Sequence, residues 1–180
     1  MKQEQLLVEV QNLKTYFFLD EGTVRALDGV DFNIYRGQTL GVVGESGCGK
    51  SVTARSILRI VPRPGRIVEG KITFYRKHDA NGSGQIEAIE LTRLNPTGSE
   101  MRSIRGAEIA LVPQEPMASL SPVHTIGNQI MEAIMLHQRV SKEEARAKAI
   151  EMLDPAGFPQ PKQRIDSYPH QLSGGLRQRA

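Results

Sequence analysis

The chain has 180 residues, 39% of them hydrophobic and 24% charged, which are ordinary values for a globular protein. Its net charge of only +3 and its aromatic content of 5% argue against a nucleic-acid partner. A single cysteine excludes a disulfide framework and a multi-cysteine metal site. No apolar run approaches the roughly 18 residues that cross a bilayer, and residues 1–5 carry no signal-peptide core. We therefore expect a protein that stays in the compartment where it is made.

The N-terminal part of the chain has the pattern of an antiparallel β-hairpin. Leu6, Val8 and Val10 alternate with polar neighbours, as expected for a strand with one buried face. A turn-like stretch at residues 20–22 separates them from a second strand candidate at residues 24–35. The fold is therefore predicted to begin with antiparallel β structure.

A central strand and a helix are predicted next. Residues 39–43 form a short apolar run without alternation, which is typical of a strand covered on both faces. A helix is indicated by apolar residues at positions i, i+3, i+4 and i+7, namely Ala54, Ile57, Leu58 and Val61. Pro62 and Pro64 should end that helix.

The remaining elements are two strand candidates and two helices. Residues 69–75 and 107–112 are the strand candidates, and the polar residues 77–84 between them predict a flexible surface loop. From Ile126 onward the period becomes helical, with an apolar face formed by Ile130, Ala133 and Ile134. The spacing of Ser141 and Glu144 predicts a capping box at the start of the next helix. The apolar face of that helix comprises Ala145, Ala149, Met152 and Leu153.

A G-x-x-x-x-G-K-[ST] motif lies between the predicted central strand and the first helix. Its residues are Gly44, Glu45, Ser46, Gly47, Cys48, Gly49, Lys50 and Ser51. Glycines allow the backbone N–H groups to surround phosphate oxygens, and the following helix adds the positive end of its dipole. Lys50 supplies a charge for the β- and γ-phosphates, and the Ser51 hydroxyl can ligate Mg²⁺. The motif predicts a nucleotide site that includes Val52, with Cys48 as a small residue filling a loop position.

A second glycine motif stands near the end of the chain. Its residues are Leu172, Ser173, Gly174, Gly175, Leu176, Arg177 and Gln178. Taken alone, Ser173 could simply be the N-cap of a helix. Downstream of the phosphate loop, however, the motif resembles the signature motif of ATP-binding cassette (ABC) ATPases. Residues 111–116, a predicted strand followed by Gln114, are similar to the glutamine loop of the same family.

The chain is more specifically similar to the ATPase subunits of dipeptide and oligopeptide importers. This similarity lies in residues 41–47, 101–106, 116–123 and 168–171. It extends over nearly the whole chain, apart from residues 77–88, which have the character of an insertion. The resemblance implies an α/β fold, a P-loop NTPase of the ABC ATPase type, with an N-terminal antiparallel β part and a helical subdomain.

The resemblance also implies roles for individual residues. Phe17 would stack on adenine, with Tyr16 as the alternative. Gln114 would approach Mg²⁺ and the attacking water, so Lys50 and Gln114 are the candidate catalytic residues and Ser51 and Gln114 the candidate metal ligands. The residues that would contact the γ-phosphate of ATP bound to an opposing subunit are Ser173, Gly174 and Gly175.

Partners, location and reaction follow from the same resemblance. ATP and Mg²⁺ would be the cofactors, and a second ABC ATPase subunit and transmembrane permease subunits the direct partners. An extracytoplasmic peptide-binding protein would act indirectly, and nucleic acid is not expected. The chain would lie peripherally on the cytoplasmic face of the cell membrane and couple ATP hydrolysis to uptake of di- and oligopeptides. An ABC ATPase for another substrate and a soluble, non-transport ABC ATPase are the alternatives.

The resemblance divides the chain into an ATP-binding core at 1–115, a helical subdomain at 116–172 and the start of the signature helix at 173–180. The family continues beyond the signature with an apolar strand ending in Asp-Glu, an aspartate loop and a switch histidine. The sequence stops at Ala180. We therefore expect an N-terminal piece of a longer subunit, in which the C-terminal part of the core sheet is missing and ATP turnover is negligible.

Overall fold

The computed structural model describes residues 5–78, 85–114 and 119–180. The chain divides into two compact units, Met1–Arg105 and Gly106–Ala180. The loop predicted at residues 77–84 lies outside the described residues from position 79 onward, and residues 115–118 of the glutamine-loop segment also lie outside them.

The first unit is built on an antiparallel sheet whose described strands have the order β2-β1-β3-β4. β1 (Leu6–Leu19) and β2 (Gly22–Tyr35) form a hairpin closed by a turn at residues 20–21. β3 (Gly65–His78) pairs with the other edge of β1, and β4 (Gln85–Glu90) pairs with β3. The predicted N-terminal antiparallel structure is confirmed.

One face of this sheet supplies the core of the first unit. Along the first half of β1, buried residues alternate with more exposed ones, and Leu6, Val8 and Val10 are all buried as predicted. The apolar side chains of this unit without exposed surface include Leu13, Ile72, Leu91, Met101 and Ile104. The last two belong to the short helix α2 (Ser99–Ile104), which therefore contributes to the same core.

The loop prediction begins too early and the insertion prediction misses a strand. Residues 77–78 belong to β3, and residues 85–88 belong to β4. The two strands pair through this region, where Arg76 lies opposite Glu87 and an ion pair of 3.2 Å joins their side chains. Cross-strand pairing of this kind stabilises a polar segment as a strand in spite of its composition.

The two apolar segments predicted as buried strands are not strands in the described part of the chain. Residues 39–43 and 107–112 have no place in the sheet β2-β1-β3-β4. Val43 is 96% exposed and Val112 is 88% exposed. A run without alternation indicates burial on both faces, but a central strand also needs hydrogen-bonded neighbours. Among the described residues the first segment has no such neighbour and the second has only an isolated bridge at Ile109, so neither forms a strand and both predictions are wrong for this structure.

Helix α1 (Lys50–Ile57) confirms the first predicted helix but ends before Val61 and before the prolines. Leu58 is its C-cap, and Arg59 adopts a left-handed conformation with φ of 56°. The guanidinium of Arg105 donates to the carbonyl oxygens of Leu58 and Arg59 at 2.7 and 3.1 Å. α1 itself ends in a Schellman motif, in which the Ile60 amide donates to the Arg55 carbonyl at 2.9 Å and the Arg59 amide donates to the Ser56 carbonyl at 3.1 Å.

The second unit is helical in its described residues. Its helices are α3 (Ile126–His137), α4 (Lys142–Leu153), α5 (Pro161–Arg164) and α6 (Gly174–Arg179). They surround a core formed by Ile126, Met131, Ile134, Ala145, Ala149, Leu153, Phe158, Ile165 and Leu172. The predicted capping box is confirmed, because Ser141 Oγ accepts from the Glu144 amide while Glu144 Oε2 accepts from the Ser141 amide.

Two residues assigned to the apolar faces of these helices are exposed instead. The buried face of α3 follows Gly127, Met131 and Ile134, at i, i+4 and i+7, so Ala133 falls outside it. The buried residues of α4 recur every fourth position, and Met152 lies one residue before Leu153 with 57% of its surface exposed. No helix in the described residues has the length and apolar character needed to cross a membrane.

Candidate nucleotide-binding site

The phosphate loop leads directly into α1. Residues 44–49 have neither helical nor strand conformation, and Gly49 is the N-cap of α1 in a left-handed conformation with φ of 91°. The backbone N–H and the hydroxyl of Thr53 both bond to the Gly49 carbonyl oxygen, at 2.9 and 3.1 Å. The first turn of α1 therefore has a fixed start.

Two of the motif's glycines have close neighbours where a side chain would begin, and at Gly49 one of these neighbours is backbone. A Cβ on Gly49 would lie 2.6 Å from the Ala26 carbonyl oxygen and 2.7 Å from Leu27 Cδ2. A Cβ on Gly44 would lie 2.5 Å from Cys48 Sγ. Gly47 differs, because its φ of 84° favours glycine but a Cβ there would meet nothing within 4 Å in the described structure. The loop is thus packed against β2 at Gly49 and open at Gly47.

The side chain of Lys50 folds back over the loop. Its Nζ donates to the carbonyl oxygens of Gly44 and Glu45 at 2.8 and 2.6 Å, and it lies 3.4 Å from Cys48 Sγ. The Lys50 ammonium is therefore held at the centre of the loop by neutral acceptors. Charged oxygens bind an ammonium more strongly than neutral carbonyls do.

The N-terminus of α1 is free to bind an anion. In the described structure no side chain caps it, and its first turn contains no acidic residue. Ser51 is exposed and Val52 is half-buried in this turn, while Cys48, Glu45 and Ser46 are exposed in the loop. Unsatisfied N–H groups and the helix dipole favour a negatively charged ligand at such a position.

Phe17 lies on the face of the sheet that contacts α1. Thr15, two residues earlier on β1, bonds to Ser56 of α1, and alternate residues of a strand share a face. Phe17 is half-buried, and its ring lies against Gly65, where an added Cβ would be 2.6 Å from Phe17 Cε1. Phe17 therefore lies on the α1 side of the sheet, beside Gly65.

Tyr16, the alternative to Phe17, faces the other way and has partners there. Its hydroxyl donates to Asp28 Oδ1 at 2.5 Å, and the Arg25 guanidinium lies 5.6 Å from its ring centroid. The bond to Asp28 raises the pKa of the Tyr16 phenol and lowers the pKa of the Asp28 carboxyl. Tyr16 therefore belongs to a polar cluster with Asp28 and Arg25, on the face of the sheet opposite α1.

The second unit contains the other candidate residues. Gln114 is exposed. Ser173 is the N-cap of α6, and its hydroxyl accepts from the Leu176 amide at 3.4 Å. Gly174 and Gly175 are exposed, and a Cβ on either would meet nothing within 4 Å in the described structure. The signature thus starts a helix with an open, unobstructed backbone.

Three residues that support this region are absent from the sequence-based site: Leu27 borders the phosphate loop, and Thr15 and Ser56 join β1 to the helix that follows it. Leu27 lies against Gly49, and the hydroxyls of Thr15 and Ser56 lie 3.0 Å apart. Contacts between residues so far apart in the chain leave no local pattern. The contiguous motif, in contrast, is recognisable from its spacing alone.

The chain is similar in sequence to ATP-binding proteins of peptide transporters. The chain is 47% identical over 176 residues to the "Probable peptide ABC transporter ATP-binding protein" of Sinorhizobium fredii, and 43% identical over 174 residues to the dipeptide transport ATP-binding protein DppD of Bacillus subtilis. The alignments cover 97% and 96% of this chain but 48% of each relative, so the chain spans about half the length of the curated relatives it matches.

A solved dimeric ATP-binding cassette, in a post-hydrolysis state bound to ADP and Pi, has a TM-score of 0.74 and 27% identity with this chain. That match covers 96% of this chain and 66% of the other, and it confirms the ABC ATPase fold class. The model of the ABC transporter family matches residues 27–180, which include both glycine motifs. The chain belongs to the ABC transporter family.

Proposed function

We propose that residues 44–52 bind the phosphates of MgATP and that the protein is an ATP-binding subunit of an ABC importer for di- and oligopeptides. The observation that carries the proposal is the phosphate loop, with Lys50 Nζ at its centre and an uncapped α1 behind it in the described structure. The names of the relatives, which are peptide, dipeptide and oligopeptide transport proteins, support the substrate class.

Each part of the loop has a task in this proposal. Lys50 exchanges the carbonyls of Gly44 and Glu45 for β- and γ-phosphate oxygens, which are stronger acceptors. The N–H groups of residues 46–52 surround the phosphates, with Gly47, Cys48 and Gly49 allowing close approach. Mg²⁺ neutralises charge on the phosphates when it is bound, and the exposed Ser51 hydroxyl and Gln114 amide fit the oxygen ligands that it prefers.

Other residues contact the adenine base and a second ATP molecule. Phe17 stacks on adenine, which its position on the α1 side of the sheet supports. Ser173, Gly174 and Gly175 contact the γ-phosphate of ATP held by a second ATPase subunit. Open space at both glycines, together with a helix N-terminus, supports this role.

The assembly proposed around the chain is that of an importer. Permease subunits contact the helical subdomain at 116–172, beyond the ATP-binding core at 1–115 and before the signature segment at 173–180. A peptide-binding protein outside the membrane acts through the permease. The chain then works peripherally at the cytoplasmic face of the membrane.

A substitution at Lys50 tests the site and the function together. Lys50→Ala should weaken MgATP binding by about 1.5–3 kcal/mol, because a charge-assisted contact is lost. Titration with a fluorescent ATP analogue measures this. Lys71→Ala is the matched control, since Lys71 is an exposed lysine of the same unit that pairs with Glu90 at 3.8 Å. Equal affinities in both variants would remove Lys50 from the site.

The importer function is tested in the source cell. There, Lys50→Ala should abolish uptake of labelled di- and oligopeptides, whereas Lys71→Ala should not. Unchanged peptide uptake in the Lys50 variant would contradict the proposal. We also propose that the 180-residue chain alone binds ATP without turnover, and phosphate release above a Lys50→Ala blank would contradict that part.

A further inference from the structure

A buried pair of hydroxyls joins β1 to α1. Thr15 Oγ1 and Ser56 Oγ lie 3.0 Å apart, and neither residue has exposed surface. Either hydroxyl can be the donor. Separating the two would leave buried hydroxyls without this bond, which is costly away from water. The pair therefore fixes the distance between this point of the strand and the second turn of the helix.

The hydroxyl pair belongs to a series of contacts that includes Gly49, at the end of the phosphate loop. Thr15 lies opposite Leu27 in the β1–β2 ladder. The side chain of Leu27 lies against Gly49, so closely that a Cβ on this glycine would be 2.7 Å from Leu27 Cδ2. Gly49 is the N-cap of α1, and α1 carries Ser56. The helix is thus tied to the hairpin at its N-cap and again about two turns later, at Ser56.

Phe17 follows Thr15 on the same face of the same strand. Its ring lies against Gly65, its neighbour in the β1–β3 ladder, and the side chain of Val61, beyond the end of α1, borders the same glycine. Because a strand moves as a unit, a shift of β1 against α1 would displace Thr15 and Phe17 together. The position of the Phe17 ring relative to the start of α1 therefore depends on the hydroxyl pair.

We infer that Thr15 and Ser56 are positioning residues that set the spacing between the base platform at Phe17 and the phosphate loop at residues 44–51. This inference rests on the proposed nucleotide-binding function. ATP contacts both places, whereas inorganic tripolyphosphate contacts the phosphate loop alone. Loss of the pair should therefore weaken ATP binding and leave tripolyphosphate binding nearly unchanged.

The experiment compares the affinities of the full chain for MgATP and magnesium tripolyphosphate. In Ser56→Ala and Thr15→Val, ATP affinity should fall about tenfold, as expected when base stacking is impaired, while tripolyphosphate affinity should change by less than about twofold. Thr15→Ser retains a hydroxyl and should keep the wild-type ratio of the two affinities. Thr73→Val removes another buried threonine hydroxyl of the same sheet and should also keep the ratio.

The double variant Thr15→Val with Ser56→Ala separates positioning from folding. It has no buried hydroxyl left without a partner, so its melting temperature should be higher than those of the single variants. The ratio of its ATP affinity to its tripolyphosphate affinity should nevertheless stay below the wild-type ratio. Equal loss of both affinities, or a normal ratio in the double variant, would overturn the inference. If Phe17→Leu leaves the ratio unchanged, the base platform itself is wrong and the role of the pair falls with it.

Discussion

Two helices of this chain begin at glycine-rich sequences, and they begin differently. Gly49, the N-cap of α1, has a left-handed conformation and no capping side chain among the described residues. Ser173, the N-cap of α6, is extended, and its hydroxyl accepts from the Leu176 amide. Among the described residues no side chain caps the first helix, whereas the second satisfies one of its N-terminal donors by itself.

The glycines of the two motifs also differ in what requires them. Gly49 has a φ of 91° and is packed against Ala26 and Leu27, so the fold of this chain itself excludes a side chain. Gly174 and Gly175 have open space around the positions of a Cβ in the described structure. Contacts within the described residues therefore do not require glycine at either position.

The largest expected effect on stability is that of an alanine substitution at Gly49, compared with the same substitution at Gly47 in the same motif. Gly49→Ala should lower the free energy of unfolding by at least about 2 kcal/mol, because a left-handed alanine is strained and its Cβ meets backbone. Gly47→Ala should cost less, since its Cβ would meet nothing within 4 Å in the described structure. Urea unfolding measures the free energy of unfolding of both variants. An equal decrease in the two would show that the packing of Gly49 against β2 does not contribute to stability.

A chemical probe at Cys48 tests whether the first motif is the one that binds ATP in this chain. Cys48 is exposed, with its Sγ 3.4 Å from Lys50 Nζ. Bound MgATP should slow maleimide labelling by about tenfold, a protection of roughly 1.4 kcal/mol. Labelling followed by mass spectrometry gives the rate. If the labelled protein still binds ATP normally, Cys48 does not line the site.

At the second motif, the expected effect of losing the cap is smaller. Ser173→Ala should lower the local stability of α6 by about 1 kcal/mol, because the Leu176 amide loses its acceptor. Hydrogen exchange at that amide should accelerate accordingly. Ser141→Ala provides the comparison, since Ser141 caps α4 through the Glu144 amide at 3.2 Å. Unchanged exchange at Leu176 would show that the hydroxyl does not cap the helix.

The smallest effect is expected at an exposed ion pair of the helical unit. Arg146 donates to both carboxylate oxygens of Asp166, at 2.8 and 2.6 Å, and this bond lowers the pKa of Asp166. Its stabilisation is therefore present above the ordinary carboxyl pKa of about 4 and is lost as the pH falls through the lowered value. Asp166→Asn should cost less than about 1 kcal/mol at neutral pH, because solvent screens the pair.

Thermal unfolding in low and high salt measures the Asp166 effect. The difference between wild type and Asp166→Asn should shrink in high salt and vanish in strong acid. A difference that persists in strong acid would mean that packing, rather than charge, accounts for it.

Local sequence patterns predicted the elements that depend on nearby residues. Alternation at Leu6, Val8 and Val10 and the turn at residues 20–22 predicted the hairpin. The spacing of Ser141 and Glu144 predicted a capping box that is present. In each case the partners that decide the structure lie within the pattern itself.

Features that depend on distant partners could not be predicted in this way. The apolar run at residues 39–43 predicts a strand, but hydrogen-bonding neighbours decide whether one forms, and the described sheet offers it none. Arg105, which lies 47 residues beyond Leu58 in the chain, bonds the carbonyls that follow α1, and nothing in the sequence near the helix indicates this contact. The bond between Thr15 and Ser56 likewise has no signal in either residue's neighbourhood.

The contact between Arg105 and the end of α1 has a consequence for synthesis of the chain. α1 spans Lys50–Ile57, which is too short for a helix to be stable on its own in water. The side chain that satisfies the carbonyls of Leu58 and Arg59 leaves the ribosome only after β3, β4 and α2 have been made. On a nascent chain that ends before Arg105, the helix behind the phosphate loop therefore lacks its C-terminal partner, and nucleotide binding should be acquired late in translation.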